Sequence, residues 1–393
     1  MIPALLPTYN RAPLSFVRGE GSWLTTQDGT RYLDLAAGIA VNALGHAHPA
    51  LVGALTAQAE RLWHVSNLYT IPEQERLAQR LVDRTFAETV FFTNSGTEAM
   101  ELAVKMARRF WHGRGRPERT HILAFEGAFH GRSSAAIAAA GSRKMTEGYA
   151  PLLPGFTQLA WGDHDALAAA MRRPDVGAVI VEPVQGEGGI RPVPPACLKG
   201  LRDLCDATGV LMILDEVQCG MGRTGHLFAH ERAGIAPDIM LVAKGIGGGF
   251  PLGAVLATAR AAEAMTVGSH GSTYGGNPLG CAVGLAVLDM MDDAFLQDVR
   301  QKGRQFREGL EALATAHPQL VEEVRGVGLM LGLRLRCAPA DFVRAGHQAR
   351  VLTVPAADNV VRLLPPLTIE ADEIAEGLHR LDEAARAVHL QAA

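Results

Sequence analysis

Two uninterrupted apolar runs constrain this chain more than any other feature. The first, Val210-Leu-Met-Ile-Leu214, ends in Asp215; the second, Ile239-Met-Leu-Val-Ala243, ends in Lys244. A strand that is apolar at every position has no face to give to water, so both runs read as central strands of a parallel sheet covered by helices on each side. Sheets of that kind collect ligands outside the carboxyl ends of their strands. A carboxylate and an amine therefore converge on one crevice.

The rest of the chain supports this placement. From Pro49 onward, helical periods alternate with short apolar runs at Thr89–Thr93, His121–Phe125 and Val176–Val181, the pattern of an α/β domain. Before it, Asp28-Gly29 between Trp23-Leu-Thr-Thr and Arg31-Tyr-Leu predicts a β-hairpin. After Pro278 the pattern changes to long amphipathic helices with strands at Gly328–Arg334 and Val360–Leu364. The expected organisation is an N-terminal segment, 1–48, packing with a small C-terminal α+β domain, 278–393. Between them lies a large α/β domain, 49–277, with a mostly parallel central sheet and helices on both faces.

Composition excludes several classes. With 393 residues, 48% of them hydrophobic and 20% charged, the chain can bury a large core. A net charge of −4 gives no electrostatic case for nucleic acid or an anionic membrane. No segment reaches the roughly 18 consecutive apolar residues of a spanning helix. The start of the chain has neither the basic flank nor the apolar stretch of a signal peptide, so cytoplasmic residence is expected. The five cysteines lack a C-x-x-C pair and read as reduced core thiols.

An isolated lysine after a strand is usually a solvated one, but Lys244 opens Lys-Gly-Ile-Gly-Gly-Gly-Phe-Pro-Leu-Gly253. Glycines there let the backbone pass close to a flat ligand. The run fails as a dinucleotide fingerprint, because Phe250 stands where the last glycine belongs, and no Gly-Lys-Ser/Thr follows a glycine loop. Pyridoxal 5′-phosphate needs the two groups at hand: a lysine to hold it as a Schiff base and an acid to keep its ring nitrogen protonated. Its phosphate also needs a seat. Thr93-Asn-Ser-Gly-Thr-Glu98 leads from a strand into a helix, where free amides and the Ser95 and Thr97 hydroxyls suit a dianion. Taken alone, Ser95-x-x-Glu98 would be a plain capping box.

Five motifs in order carry a resemblance: Asn94-Ser-Gly-Thr-Glu-Ala99, Phe129-His-Gly-Arg132, Glu182-Pro-Val-Gln-Gly-Glu187, Leu214-Asp-Glu-Val-Gln-Cys-Gly-Met-Gly-Arg-Thr-Gly225 and His270-Gly-Ser-Thr-Tyr-Gly-Gly-Asn-Pro278. The chain resembles the acetylornithine and ornithine aminotransferases. These are class III, fold-type I pyridoxal-phosphate enzymes that act on ω-amino groups. The similarity runs from Gly38-Ile-Ala-Val-Asn42 to Val361-Arg-Leu-Leu-Pro-Pro366.

The resemblance implies roles position by position. Lys244 would bind the cofactor and shuttle a proton, with its pKa lowered by partial desolvation. Asp215 would pair with the pyridinium nitrogen, Phe129 and Val217 would flank the ring, and Gln218 would meet its hydroxyl. Ser95, Gly96 and Thr97 would hold the phosphate, joined by Ser272 and Thr273 from a neighbouring subunit, which makes the expected assembly a homodimer. Arg132 would grip the carboxylate far from the reacting amine. Arg362 would take the α-carboxylate of glutamate, and Glu187 would mask Arg362 until glutamate arrives.

Glycine at position 38, where ornithine aminotransferases carry tyrosine, favours an acylated donor, and Asn42 is a further pocket contributor. The expected reaction passes the δ-amino group of N2-acetylornithine to 2-oxoglutarate in arginine biosynthesis, giving N-acetylglutamate 5-semialdehyde and glutamate. Succinylornithine, ornithine, 4-aminobutyrate and carrier-bound lysine are alternative donors, and a non-catalytic cofactor-binding regulator is the alternative of another class. No metal site is expected. His46, His48 and His112 lack a carboxylate or cysteine spaced to complete one. Glu216 should point away from Asp215.

Overall fold

The computed structural model describes residues 2–392. It opens with an antiparallel meander of Phe16–Glu20 (β1), Trp23–Thr26 (β2) and Arg31–Asp34 (β3). Asp28-Gly29 turns β2 into β3 as its sequence predicts, with Gly29 at φ 85°, a conformation glycine adopts without steric cost.

The central sheet comprises Thr89–Thr93 (β4), His121–Phe125 (β5), Phe156–Leu159 (β6) and Val176–Val181 (β7). A short ribbon, Val184–Gln185 (β8) with Arg191–Pro192 (β9), follows. Leu211–Asp215 (β10), Ile239–Val242 (β11) and Gly253–Ala257 (β12) complete the sheet. Its seven strands lie in the order β4-β12-β11-β10-β7-β5-β6. All neighbouring pairs are parallel except those of β12, which runs antiparallel to both β11 and β4. The reversal has a local cause. Parallel pairing needs a crossover of a dozen or more residues, and the stretch from Ala243 to Leu252 holds only a single 3₁₀ turn, so the chain returns alongside β11.

Alternation within β10 divides the two cores. Leu211 and Ile213 pack with Met100, Ala103 and Ala107 of helix Gly96–Gly113, while Met212 and Leu214 pack with Leu198, Leu201 and Cys205 of helix Pro195–Thr208. Each fully buried leucine, isoleucine or methionine among these contributes about 1.5–3 kcal/mol relative to exposure. Both faces being covered, Asp215 and Lys244 can reach solvent only at the sheet's end.

Beyond helices Pro278–Met290 and Asp293–Ala316, the chain forms Val321–Val327 (β13), Met330–Leu335 (β14), Val351–Leu352 (β15), Val354–Pro355 (β16) and Val360–Leu363 (β17). An antiparallel sheet orders them β13-β14-β17-β16. The strand expected from Gly328 starts later because Gly328, at φ 58°, belongs to the turn between β13 and β14. Strand β15 leaves this sheet and pairs parallel with β3. The two chain ends are further joined where Ser22 Oγ and Trp23 Nε1 donate to the Glu373 carboxylate at 2.9 and 2.7 Å. Among the described residues no helix is long and apolar enough to cross a membrane.

Candidate active site

A cavity of about 330 Å³ opens outside the carboxyl ends of β10 and β11, and Asp215 and Lys244 both line it. Lys244 adopts φ 50°, rare for a residue with a side chain. Backbone of this kind persists only where its surroundings impose it, and it clusters at functional sites. Burial lowers the Lys244 pKa, the Arg362 guanidinium adds to the effect, and Asp215, Glu187 and Glu182 oppose it. The amine is thus easier to deprotonate than an ordinary lysine.

Asp215 is fixed from two sides. Its Oδ1 accepts from the Val217 amide at 3.0 Å, and its Oδ2 lies 2.7 Å from His130 Nδ1. His130 is buried, and its Nε2 has no partner among the described residues. Burial opposes a charge on this ring, but the hydrogen bond to Asp215 and the charges of Asp215 and Glu182 outweigh it and raise its pKa. Glu182, just past β7, accepts from the Phe129 amide at 2.9 Å and the Gly186 amide at 3.1 Å. Burial pushes Glu182 up to about 7, with His130 working against the shift and Asp215 adding to it. Sequence reasoning assigned no role to His130 or Glu182. Both lie inside motifs it had singled out, which was the available signal.

The loop from β4 into helix Gly96–Gly113 forms the next wall. Ser95 is the N-cap, its Oγ accepting from the Glu98 amide at 3.2 Å, while Glu98 Oε2 accepts from Asn94 N and Nδ2 at 2.9 Å each. The box closes one residue earlier than the sequence pattern implies, on Asn94. The Ser95 hydroxyl keeps its proton to donate, and the first amides of the helix lack intrahelical acceptors. Gly96 is demanded by packing, since a Cβ there would stand 2.9 Å from Val217 Cγ1. Thr97 Oγ1 accepts from the Arg132 amide at 3.4 Å. Phe129, Val217 and Gln218 also line the cavity.

Arg362 on β17 is 1% exposed, and its Nη1 donates to Glu187 Oε1 at 2.6 Å and Gln218 Oε1 at 3.3 Å. Its Nη2 donates to the Pro355 carbonyl at 3.1 Å. The Glu187 side chain is 35% exposed, so of the two partners it is the one free to leave.

The other expected site residues lie farther out. Arg132 is exposed and lines an adjacent hollow with Ser134 and Tyr149, its guanidinium 5.7 Å from the centre of the Phe129 ring. Gly38 belongs to a left-handed turn, Ala37 to Ala40, with φ between 46° and 65° throughout. Asp34 Oδ1 tethers that turn by accepting from the Ala36 and Ala37 amides at 2.9 Å. Val41, next in sequence, reaches the cavity wall, whereas Gly38 and Asn42 are not among the residues lining it. Ser272 and Thr273 line a different surface pocket beside His64 and Asn67, outside the cavity of their own chain. Asn67 holds that loop by donating to the Ser272 and Gly275 carbonyls at 3.0 and 3.1 Å.

The discounted residues are occupied elsewhere. His46 Nε2 meets Asp34 at 2.8 Å, His48 caps a helix by accepting from the Ala50 amide, and Glu216 faces His230.

The model of the family described as Aminotransferase class-III matches residues 7–385. The acetylornithine aminotransferase of Rhodobacter capsulatus is 64% identical over 394 residues, covering 100% of both chains. The ornithine aminotransferase of Toxoplasma gondii ME49 superposes with a TM-score of 0.95 at 30% identity, over 99% of this chain and 94% of that one. An amine transaminase from an uncultivated Pseudomonas species, solved in its PLP-bound form, gives a TM-score of 0.88 at 32% identity over 98% of both chains.

Proposed function

The chain belongs to the class-III aminotransferases, and on that premise we propose that it transfers the δ-amino group of N2-acetylornithine to 2-oxoglutarate, forming N-acetylglutamate 5-semialdehyde and glutamate as a step of arginine biosynthesis. It is a pyridoxal-phosphate-dependent enzyme, and the cavity fits that group on three counts. A partly buried amine and a buried carboxylate face the same space, glycine 96 lets Val217 pack closely against the start of the helix, and unsatisfied helix amides stand at one end. Lys244, Asp215, Phe129, Val217, Gln218, Ser95, Gly96 and Thr97 would hold it. When bound, the cofactor supplies an aldehyde that takes up an amino group and a conjugated ring that accepts the electron pair of a breaking C–H bond.

The protein's own part is positioning and proton transfer. Lys244, with its lowered pKa, takes a proton from the substrate carbon next to the reacting nitrogen and returns it elsewhere. His130 and the Val217 amide keep the Asp215 carboxylate aimed into the cavity. Arg132 would bind the donor's carboxylate, and its position in the hollow beside Phe129 supports this role. Glycine at position 38, just before Val41 of the cavity wall, supports an acylated donor only in lacking a polar side chain there.

The single observation that carries the reading is the Arg362–Glu187 pair beside Lys244. A buried guanidinium with a removable partner gives one pocket two carboxylate specificities. With Glu187 in place Arg362 is masked and an ω-amine donor is accepted; with Glu187 displaced, Arg362 binds the α-carboxylate of glutamate bidentately. The likeness to an ornithine aminotransferase favours ornithine as a second reading. Relative kcat/KM for acetylornithine, succinylornithine, ornithine and 4-aminobutyrate decides between them. Acetylornithine should lead, and a higher value for any other donor overturns the assignment.

A homodimer completes this reading, with Ser272 and Thr273 reaching the phosphate of the second active site. Supporting it, Trp63, Leu68 and Tyr274 near that loop are 65%, 87% and 61% exposed, an apolar surface that a lone chain would leave in water. We further read 49–277 as the cofactor-binding domain and 278–393, with 1–48, as the smaller one. The working compartment is the cytoplasm.

A further inference from the structure

The loop that carries Glu187 is held from below by a small hairpin turn, and one side chain of that turn gathers three arginines. Ala357 to Val360 joins β16 to β17, with Asp358 at φ 56° and Asn359 at φ 54°. That is the primed geometry normally given to glycine, here borne by the two side-chain types that tolerate it. The Ala357 amide donates to the Glu187 carbonyl at 2.9 Å. The approach is so close that a Cβ on Gly189 would stand 2.8 Å from the Ala357 carbonyl oxygen and 3.2 Å from Asp358 Cβ.

Asp358 anchors this contact. Its Oδ2 accepts from Arg325 Nη1 at 2.7 Å and lies 3.3 Å from Arg191 Nη2, while its Oδ1 lies 3.3 Å from Arg334 Nη2. These arginines stand on β13, β9 and β14. Arg325 Nη1 also donates to the Gly189 carbonyl at 3.3 Å, so the same guanidinium grips both the turn and the Glu187 loop. Burial pushes the Asp358 carboxyl upward, but the Arg325 and Arg191 hydrogen bonds and the arginine charges hold it below its ordinary value.

We propose that Asp358 is a positioning residue for the two-substrate switch: by fixing the backbone at Glu187 and Gly189, it sets how firmly Glu187 masks Arg362 and hence how the enzyme divides its affinity between the ω-amine donor and the dicarboxylate acceptor. The inference rests on the reading of Glu187 and Arg362 given above. A tethered backbone lowers the entropy lost when the Glu187 carboxylate meets the guanidinium. Without the tether, the masked state is weaker and Arg362 is more available.

Asp358→Asn tests this, because asparagine tolerates the left-handed turn while removing the charge and one of the two acceptor oxygens that face the arginines. Two readouts on the purified holoenzyme decide the matter. Hydrogen exchange of the amides from Gly186 to Ile190 should quicken in the variant, while thermal unfolding shows the fold retained. In single-turnover half-reactions, the apparent dissociation constant of 2-oxoglutarate should fall roughly three- to tenfold, and the kcat/KM of the acetylornithine half-reaction should also fall. In a Glu187→Gln background the same change should leave both constants unmoved. Unaltered exchange, weaker 2-oxoglutarate binding, or a shift that persists without Glu187 would overturn the proposal. Failure of the functional reading itself would be distinguishable, since it would appear in the unmodified enzyme as a missing half-reaction with acetylornithine.

Discussion

Gly96→Ala isolates the contribution of one missing methyl group to cofactor binding. The new Cβ would stand 2.9 and 3.0 Å from the two γ-carbons of Val217, against an ordinary carbon–carbon contact of about 3.5–4.0 Å. Both branches are blocked at once, and a β-branched side chain has little rotamer freedom with which to step aside. Val217 must therefore move bodily by roughly half an ångström to one ångström, which in the empty protein it can do by leaning into the cavity. With the cofactor bound that space is filled, so an overpacking penalty of about 1–3 kcal/mol falls mainly on the loaded state. The helix itself gains up to about 1 kcal/mol from replacing glycine with alanine.

The expected result is a thermal midpoint of the cofactor-free protein close to that of wild type. The dissociation constant for pyridoxal 5′-phosphate should be raised roughly 5- to 150-fold. Titration of the cofactor-free protein, followed by absorbance near 420 nm (roughly the band of a protonated Schiff base), measures the second quantity. An unchanged constant, or a loss of stability as large without cofactor as with it, would show that the close packing of Val217 on Gly96 does not shape the cofactor's seat.

Further outcomes follow from the same geometry. Lys244→Ala should abolish turnover while the protein stays folded, and borohydride reduction followed by peptide mapping should label residue 244 in the parent enzyme; a label elsewhere contradicts the assignment. Arg362→Ala should damage the glutamate half-reaction more than the acetylornithine one, by about 2–5 kcal/mol of binding, and equal losses in single-turnover assays would count against the switch. His130 has a raised pKa in the folded state, so its contribution to stability is complete below its ordinary value of 6.5 and is lost as pH climbs through the higher folded value. His130→Asn keeps a donor near Asp215 but does not titrate. Denaturant midpoints of the cofactor-free variant should therefore decline less steeply above pH 6.5 than those of wild type, and parallel slopes would refute the link.

The parts that could be read along the chain are those whose cause is local. Strands β7, β10 and β11 announce themselves by apolar runs broken only by Asp215 at the end of β10, the β2–β3 hairpin by Asp28-Gly29, and the capped start of the helix at Gly96 by Ser95-Gly-Thr-Glu98. Strand β12 was not foreseen, because its direction follows from the shortness of the preceding connection rather than from its own residues. The left-handed turn at Ala37 to Ala40 has a single glycine among its four residues, so nothing in its composition marks it; the Asp34 tether imposes it. His130 meets Asp215 across 85 residues of chain, and no periodicity reports such a pairing. Asp358 sits in a turn whose sequence looks unremarkable until three arginines from three other strands are seen around it.

The joining of the two chain ends has a consequence for synthesis. Trp23 finds Glu373 350 positions further along the chain, and β3 gains its parallel neighbour only from residues 351 and 352. At about 5–20 residues per second, the ribosome needs roughly 20–70 s after making the meander before its partners exist. The turn at Ala37 to Ala40, which begins directly after β3 and carries Val41 to the cavity wall, waits with it. A nascent chain can thus assemble the central sheet early, yet the cavity at its end cannot be completed until translation is all but over.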